Sequence, residues 1–287
     1  VKNKLGRAEQ QDFSHEVMDA MSGCLACKAC ASQCPIKVDV PDFRARFLNV
    51  YHSRYFRPLK DHLVANVEQL APMMAKAPKL VNLVLDNTLY ESFSKATIGY
   101  VDTPLLSVPT LKIRNERNGF ERFDLSRFKS LSTEQKASYV FIVQDPFTSF
   151  YDAGVVEKLM QLIAKLGFKP VLVPFKPNGK PQHVKGFLTR FAKTAKNTAD
   201  FLNQLHDLAI PMIGIDASLA LCYRDEYKQI LGEKRGDFTV LLAHEWLISM
   251  IDHNKLEIKQ KLLEDNTEYK LFAHCTEKTA LAGSEQE

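Results

Sequence analysis

Ser22-Gly23-Cys24-Leu25-Ala26-Cys27-Lys28-Ala29-Cys30-Ala31-Ser32-Gln33-Cys34-Pro35 gathers four of the six cysteines on one short segment. Such a run needs a tight loop, so the flanks are where regular structure is sought. Upstream, Phe13, Val17, Met18 and Met21 share one face and predict a helix over 8–21. Downstream, Pro41 with Asp42 in the first turn predicts the start of a second helix. Phe43, Phe47, Val50 and Tyr51 follow at helical spacing. Residues 61–95 read as further helix, interrupted at Pro72 and Pro78. No strand pattern shows in the first hundred residues.

Beyond that the character changes. Pro104, Pro109 and Gly119 break any period over 99–132, which reads as a surface connector. From 138 onward, short apolar runs alternate with helical stretches. The runs 139–143, 170–174, 211–215 and 270–273 predict strands. Helices are expected over 152–166, 183–208, 217–231, 238–252 and 254–264, with Gly167 and Gly232 as stops. Strands separated by such helices imply βαβ units and a parallel sheet. The expected organisation is an α-helical domain over 1–98, a connector over 99–135 and an α/β domain over 136–287.

The chain has 287 residues, 45% apolar and 25% charged, ordinary proportions for a folded protein with its own core. No uncharged apolar run is long enough for a transmembrane helix. The net charge of +4, from 38 basic and 34 acidic residues, does not suggest a nucleic-acid binder. The chain begins Val1-Lys2-Asn3 without a secretory signal pattern. Cysteines this crowded make poor disulfide partners, so a reducing, cytoplasmic setting is expected. A piece of a longer polypeptide is also expected.

Cys24-x2-Cys27-x2-Cys30-x3-Cys34-Pro35 has the spacing of a ferredoxin-type [4Fe–4S] ligand run. Thiolates two residues apart on a tight loop can reach neighbouring corners of one cubane. Small residues between them let backbone N–H groups approach the sulfurs, and Pro35 keeps the chain from re-entering a helix. A structural zinc site is the alternative, although zinc sites usually separate their cysteine pairs further; free thiols are another. In two-cluster ferredoxins the cysteine before proline serves the other cluster. On that rule Cys34 would need ligands outside this chain; otherwise all four cysteines hold one cluster.

Other candidates are weaker. Arg44, Arg46, Arg54 and Arg57 could favour a reduced cluster, or form a solvated helix face. Lys185, Lys193 and Lys196 read as a solvated face. His244-Glu245 opens a zincin-like motif, but position 248 is Ile, so His244 and Trp246 read as packing residues. Asn178-Gly179-Lys180-Pro181-Gln182-His183 is a turn into a helix that could bind an anion or be a plain loop. Cys222 reads as buried or as a ligand. Cys275, just after the expected last strand, is a comparable candidate. No dinucleotide fingerprint, P-loop or serine-hydrolase elbow is present.

The words around these cysteines resemble a known family. They include Ser22 to Cys30, Gln33-Cys34-Pro35, Val40-Pro41-Asp42-Phe43, Leu221-Cys222-Tyr223-Arg224-Asp225-Glu226-Tyr227 and Phe272-Ala273-His274-Cys275-Thr276-Glu277. The chain is similar to the C-terminal iron–sulfur portion of bacterial FAD-linked oxidases, which join a flavin domain and an iron–sulfur region in one chain. The resemblance implies a ferredoxin-like first domain with a [4Fe–4S] cluster on Cys24, Cys27, Cys30 and Cys34. It implies electron transfer from FAD bound elsewhere, in the same polypeptide or a partner subunit, to an outside acceptor. The implied reaction is dehydrogenation of a 2-hydroxy acid, with no catalytic residue in this chain. The second half resembles the Cys-Cys-Gly-type cysteine-rich domain of glycolate oxidase iron–sulfur subunits and heterodisulfide reductases. That makes Cys222 and Cys275 possible further metal ligands. The pattern departs where Asn178-Gly179-Lys180 stands for the first Cys-Cys-Gly, and Gln144-Asp145-Pro146 for an early cysteine. The second Cys-Cys-Gly would fall beyond residue 287, so that domain is expected to be truncated. A structural or docking metal module, or a heterodisulfide-reductase-like subunit, are the competing readings.

Overall fold

A computed structural model describes residues 12–36, 38–99 and 103–253. The fold is mostly helical, with one four-stranded, all-parallel sheet.

The first part is a chain of helices: α1 (Ser14–Ser22), α2 (Ala29–Gln33), α3 (Val40–Tyr51), α4 (Leu59–Ala65), α5 (Val67–Met74), α6 (Pro78–Leu85) and α7 (Thr88–Thr97). Asp39 caps α3 by accepting from the Asp42 N–H, and Pro41 lies in its first turn. Pro72 does not break its helix. It sits inside α5, which runs two residues further to Met74. The expected connector carries α8 (Leu111–Arg117), α9 (Leu125–Ser130) and α10 (Thr133–Lys136), and it buries Leu111 and Phe128 in the core.

The sheet follows: β1 (Tyr139–Ile142), α11 (Pro146–Phe150), α12 (Ala153–Lys165), β2 (Lys169–Leu172), α13 (Lys180–Val184), α14 (Leu188–His206), β3 (Met212–Gly214), α15 (Ala217–Arg224), α16 (Glu226–Leu231), β4 (Leu241–Leu242) and α17 (Ala243–Asp252). The strand order is β2-β1-β3-β4, and every pair is parallel. Alternation along β1 sends Tyr139 and Phe141 to one face, where they meet Phe191, Leu202, Tyr223, Tyr227 and Phe238. Val140 and Ile142 go to the other, with Val156, Met160, Ile163 and Trp246. Helices therefore cover both faces, as a parallel sheet requires.

Three expected helices are divided. The 183–208 stretch breaks at Gly186, the 217–231 stretch at Asp225, and the 238–252 stretch begins with the short strand β4. The helix expected over 254–264 and the strand at 270–273 lie outside the described residues. No helix among the described residues is long and apolar enough to cross a membrane.

Candidate metal centre

Cys24 to Lys28 is irregular backbone, and α2 starts at Ala29. Ala26 and Lys28 both have left-handed backbone, with φ of 55° and 62°. Two such residues in so short a span turn the loop sharply and hold the segment out of helix. Cys24, Cys27, Cys30 and Cys34 form no disulfide, and each is half-buried. Four soft sulfur donors on one loop suit an iron–sulfur cluster or zinc by their chemistry. Among the described residues no three His, Cys, Asp or Glu side chains converge as a metal site, so the thiols share a loop without closing into a cage.

The loop is fastened by Lys28. Its side chain is 7% exposed and reaches across to the start of α16. The ammonium lies 3.0 Å from Glu226, pairs with Asp225, and is 3.9 Å from Asp39. Lys180 pairs with the same Glu226 oxygen. Burial would lower the Lys28 pKa, but Glu226 and Asp225 override it and hold the ammonium above its ordinary value. Burial likewise pushes Glu226 up, and Lys180 and Lys28 pull it down to about 2. The Cys27–Lys28 peptide is therefore tied to the α/β part through Lys28 and the buried Glu226, with Lys180 and the half-exposed Asp225 completing the cluster.

The loop from β2 into α13 is the second point of attachment. Asn178 and Gly179 donate their backbone N–H groups, at 2.7 Å each, to the two oxygens of Glu68 on α5. Gly179 has φ of 85°, a conformation that frees its N–H for this contact. The turn, which the sequence leaves open as a plain loop or an anion site, thus receives the chain's own carboxylate. Burial pushes Glu68 up to about 7 against the pull of those two N–H donors, with Asp145 adding to the rise. Tyr227 donates to the Asn178 carbonyl at 2.7 Å, which steadies the turn.

Around α13 the two parts interlock further. At Gly186, with φ of 70°, an added Cβ would stand 2.6 Å from the Leu48 Cβ and 2.9 Å from the Ala45 carbonyl oxygen on α3. Arg44 donates to the Met21 and Val184 carbonyls at 3.0 Å each. Arg57 donates to the Lys185 carbonyl and lies 3.9 Å above the Phe187 ring. Lys185 is not on a solvated face: it pairs with the buried Asp61 at 2.6 Å. Arg46 does remain on an exposed pair, with Asp42. No reading of the sequence singled out Glu68, Lys28 or Gly186.

Cys222 lies fully buried on α15 in the core that contains Tyr223 and Tyr227, and burial pushes its thiol well above the ordinary value. Cys275 lies outside the described residues. Trp246 is a core residue, edge-on to Phe168 at 5.2 Å, whereas His244 is exposed rather than packed.

Comparison with known proteins aligns the chain with one part of a class of large bacterial oxidoreductases. The relatives are D-2-hydroxyglutarate dehydrogenases. The Escherichia coli enzyme is 57% identical over 275 residues, covering 96% of this chain and 26% of the relative. The Haemophilus influenzae enzyme is 52% identical over 279 residues, again covering 96% of this chain and 27% of the relative. The Pseudomonas putida enzyme is 39% identical over 282 residues, covering 98% of this chain and 27% of the relative. The chain therefore spans about a quarter of the length of the curated relatives it matches. No family model matches the chain. No solved structure matches it.

Proposed function

We propose that this chain is the iron–sulfur, electron-transfer part of a flavin-dependent dehydrogenase that oxidises D-2-hydroxyglutarate to 2-oxoglutarate. The observation that carries the reading is the loop itself. Four half-buried cysteines outside any disulfide lie on one short, ion-paired segment of a chain homologous to D-2-hydroxyglutarate dehydrogenases.

Cys24, Cys27, Cys30 and Cys34 are the proposed ligands of a [4Fe–4S] cluster, in a ferredoxin-like helical domain over residues 1–98. The α/β part is a Cys-Cys-Gly-type domain whose first half keeps Cys222 but lacks the Cys-Cys-Gly and the early cysteine. FAD and the hydride-transfer residues belong to polypeptide outside these residues, in a cytoplasmic enzyme. A cluster bound at this loop supplies one-electron transfer between the flavin and an outside acceptor. The chain's own contribution is placement. Lys28 fixes the loop against Glu226, and Glu68 fixes the helices that follow it against the β2–α13 turn.

Cys27→Ser in the full-length polypeptide tests this. The expected result is flavin reduction by D-2-hydroxyglutarate at the normal rate, with steady-state turnover to a one-electron acceptor lost. Full turnover in a cluster-free variant would place the chain in a structural or docking role, iron- or zinc-bound.

A further inference from the structure

We infer that α6, α7 and the cavity beside α6 form the surface on which the rest of the polypeptide docks, through a segment whose apolar side chains are flanked by carboxylates. α6 reads Pro78-Lys79-Leu80-Val81-Asn82-Leu83-Val84-Leu85 and buries none of its side chains. Leu80, Leu83 and Val84 recur at helical spacing and are 64%, 71% and 51% exposed. On the other side of the helix, Asn82 exchanges hydrogen bonds of 2.8 and 2.9 Å with the Leu106 main chain. The helix is therefore held by its polar side with its apolar face outward, the reverse of what burial alone would select. α7 packs on α6 and extends the same surface with exposed Leu89 and Phe93.

Leu80 also lines a cavity of about 1390 Å³, bounded by α5, α6, α8 and the C-terminal ends of β1 and β2. That exceeds the roughly 300–1,000 Å³ of small-molecule sites and suits a chain segment better. The charged lining residues are Lys76, Lys79, Lys112, Arg117 and Arg122 against Glu116 alone. The lining therefore carries four more basic than acidic side chains. It calls for carboxylates on the occupant.

The occupant follows from length. The chain spans 26% of the Escherichia coli relative, which leaves about three quarters of a homologous polypeptide to cover this face. The inference uses that homology but needs neither a cluster nor a flavin.

The test places a photo-cross-linking residue, Leu83→p-benzoylphenylalanine or Phe93→p-benzoylphenylalanine, in the full-length polypeptide. The control is Leu162, exposed on α12 in the α/β part. Peptide mapping should show cross-links from positions 83 and 93 to residues of the same polypeptide outside this chain, at about tenfold the yield from position 162. Reversing charge at the rim with Lys79→Glu and Lys112→Glu should lower that yield severalfold. Cross-links confined to this chain, cross-links to a second copy, or yields no higher than at position 162 would each overturn the inference. Iron content is read separately, so failure of the redox reading would not be mistaken for failure of this one.

Discussion

Residues 12–99 and 103–253 differ in where they put their apolar side chains. In the helical part the buried hydrophobics are Ala45, Leu48, Ala65 and Ala71, three of them alanines, so it has little core of its own. Of the 22 large hydrophobics that are exposed, 14 lie in this part. The α/β part instead buries Phe128, Phe141, Phe191, Tyr227, Phe238 and Trp246 around a sheet covered on both faces. The helical part keeps its place by polar and steric attachment to the α/β part: the Lys28 ion-pair cluster, the Glu68 carboxylate and the Gly186 contact. A region with few buried apolar contacts opens at low cost unless such attachments hold it. The cysteine loop therefore inherits its order from residues far away in sequence.

That contrast can be broken most severely at Glu226. Glu226→Gln leaves Lys180 against a neutral amide and Lys28 with Asp225 as its main remaining partner. The expected loss is about 3 kcal/mol, read by denaturant unfolding, with faster hydrogen exchange over 24–34. A loss below about 1 kcal/mol would mean that the Lys28 cluster does not hold the loop.

Gly186→Ala should cost less, about 2–3 kcal/mol, because the new Cβ meets α3 and the backbone is left-handed. It sharpens the comparison if exchange rises in α3 while β1 and β3 keep their protection. Equal loosening of both would show that the two parts unfold as one unit.

The smallest effect concerns pH. Glu68 is pushed up to about 7 from its ordinary 4.5, so between those values the folded state holds more protons than the unfolded one. Stability should fall as pH rises through that window and level off above it, by about 1–3 kcal/mol. Glu68→Gln should flatten the slope. An unchanged pH profile in that variant would assign the slope to another group.

Much of the α/β fold was legible because its strands are short apolar runs bounded by prolines or polar residues, as at 139–143 and 211–215. β4 was missed because two residues, Leu241 and Leu242, carry no period. Gly186 was read as helix interior because a lone glycine is tolerated there. Only the approach of α3 shows why the chain turns. Pro72 reads as a break, yet it sits in the last turn of α5, which ends two residues later at Met74. The four-cysteine run stands out in the sequence because its spacing is local. Its fastening does not, since Lys28 and Asp225 lie 197 positions apart and Glu68 and Asn178 lie 110 apart. The turn at 178–179 reads from sequence as a plain loop or an anion site, and only the fold shows that Glu68 fills it.

The central claim is that the Cys24–Cys34 loop carries a redox-active cluster. The direct measurement is iron, acid-labile sulfide and zinc content of anaerobically purified protein, with an EPR spectrum after dithionite reduction. The account predicts about four iron and four sulfide per chain and a reduced-cluster signal. Stoichiometric zinc in place of iron, with no EPR signal on reduction, would contradict it.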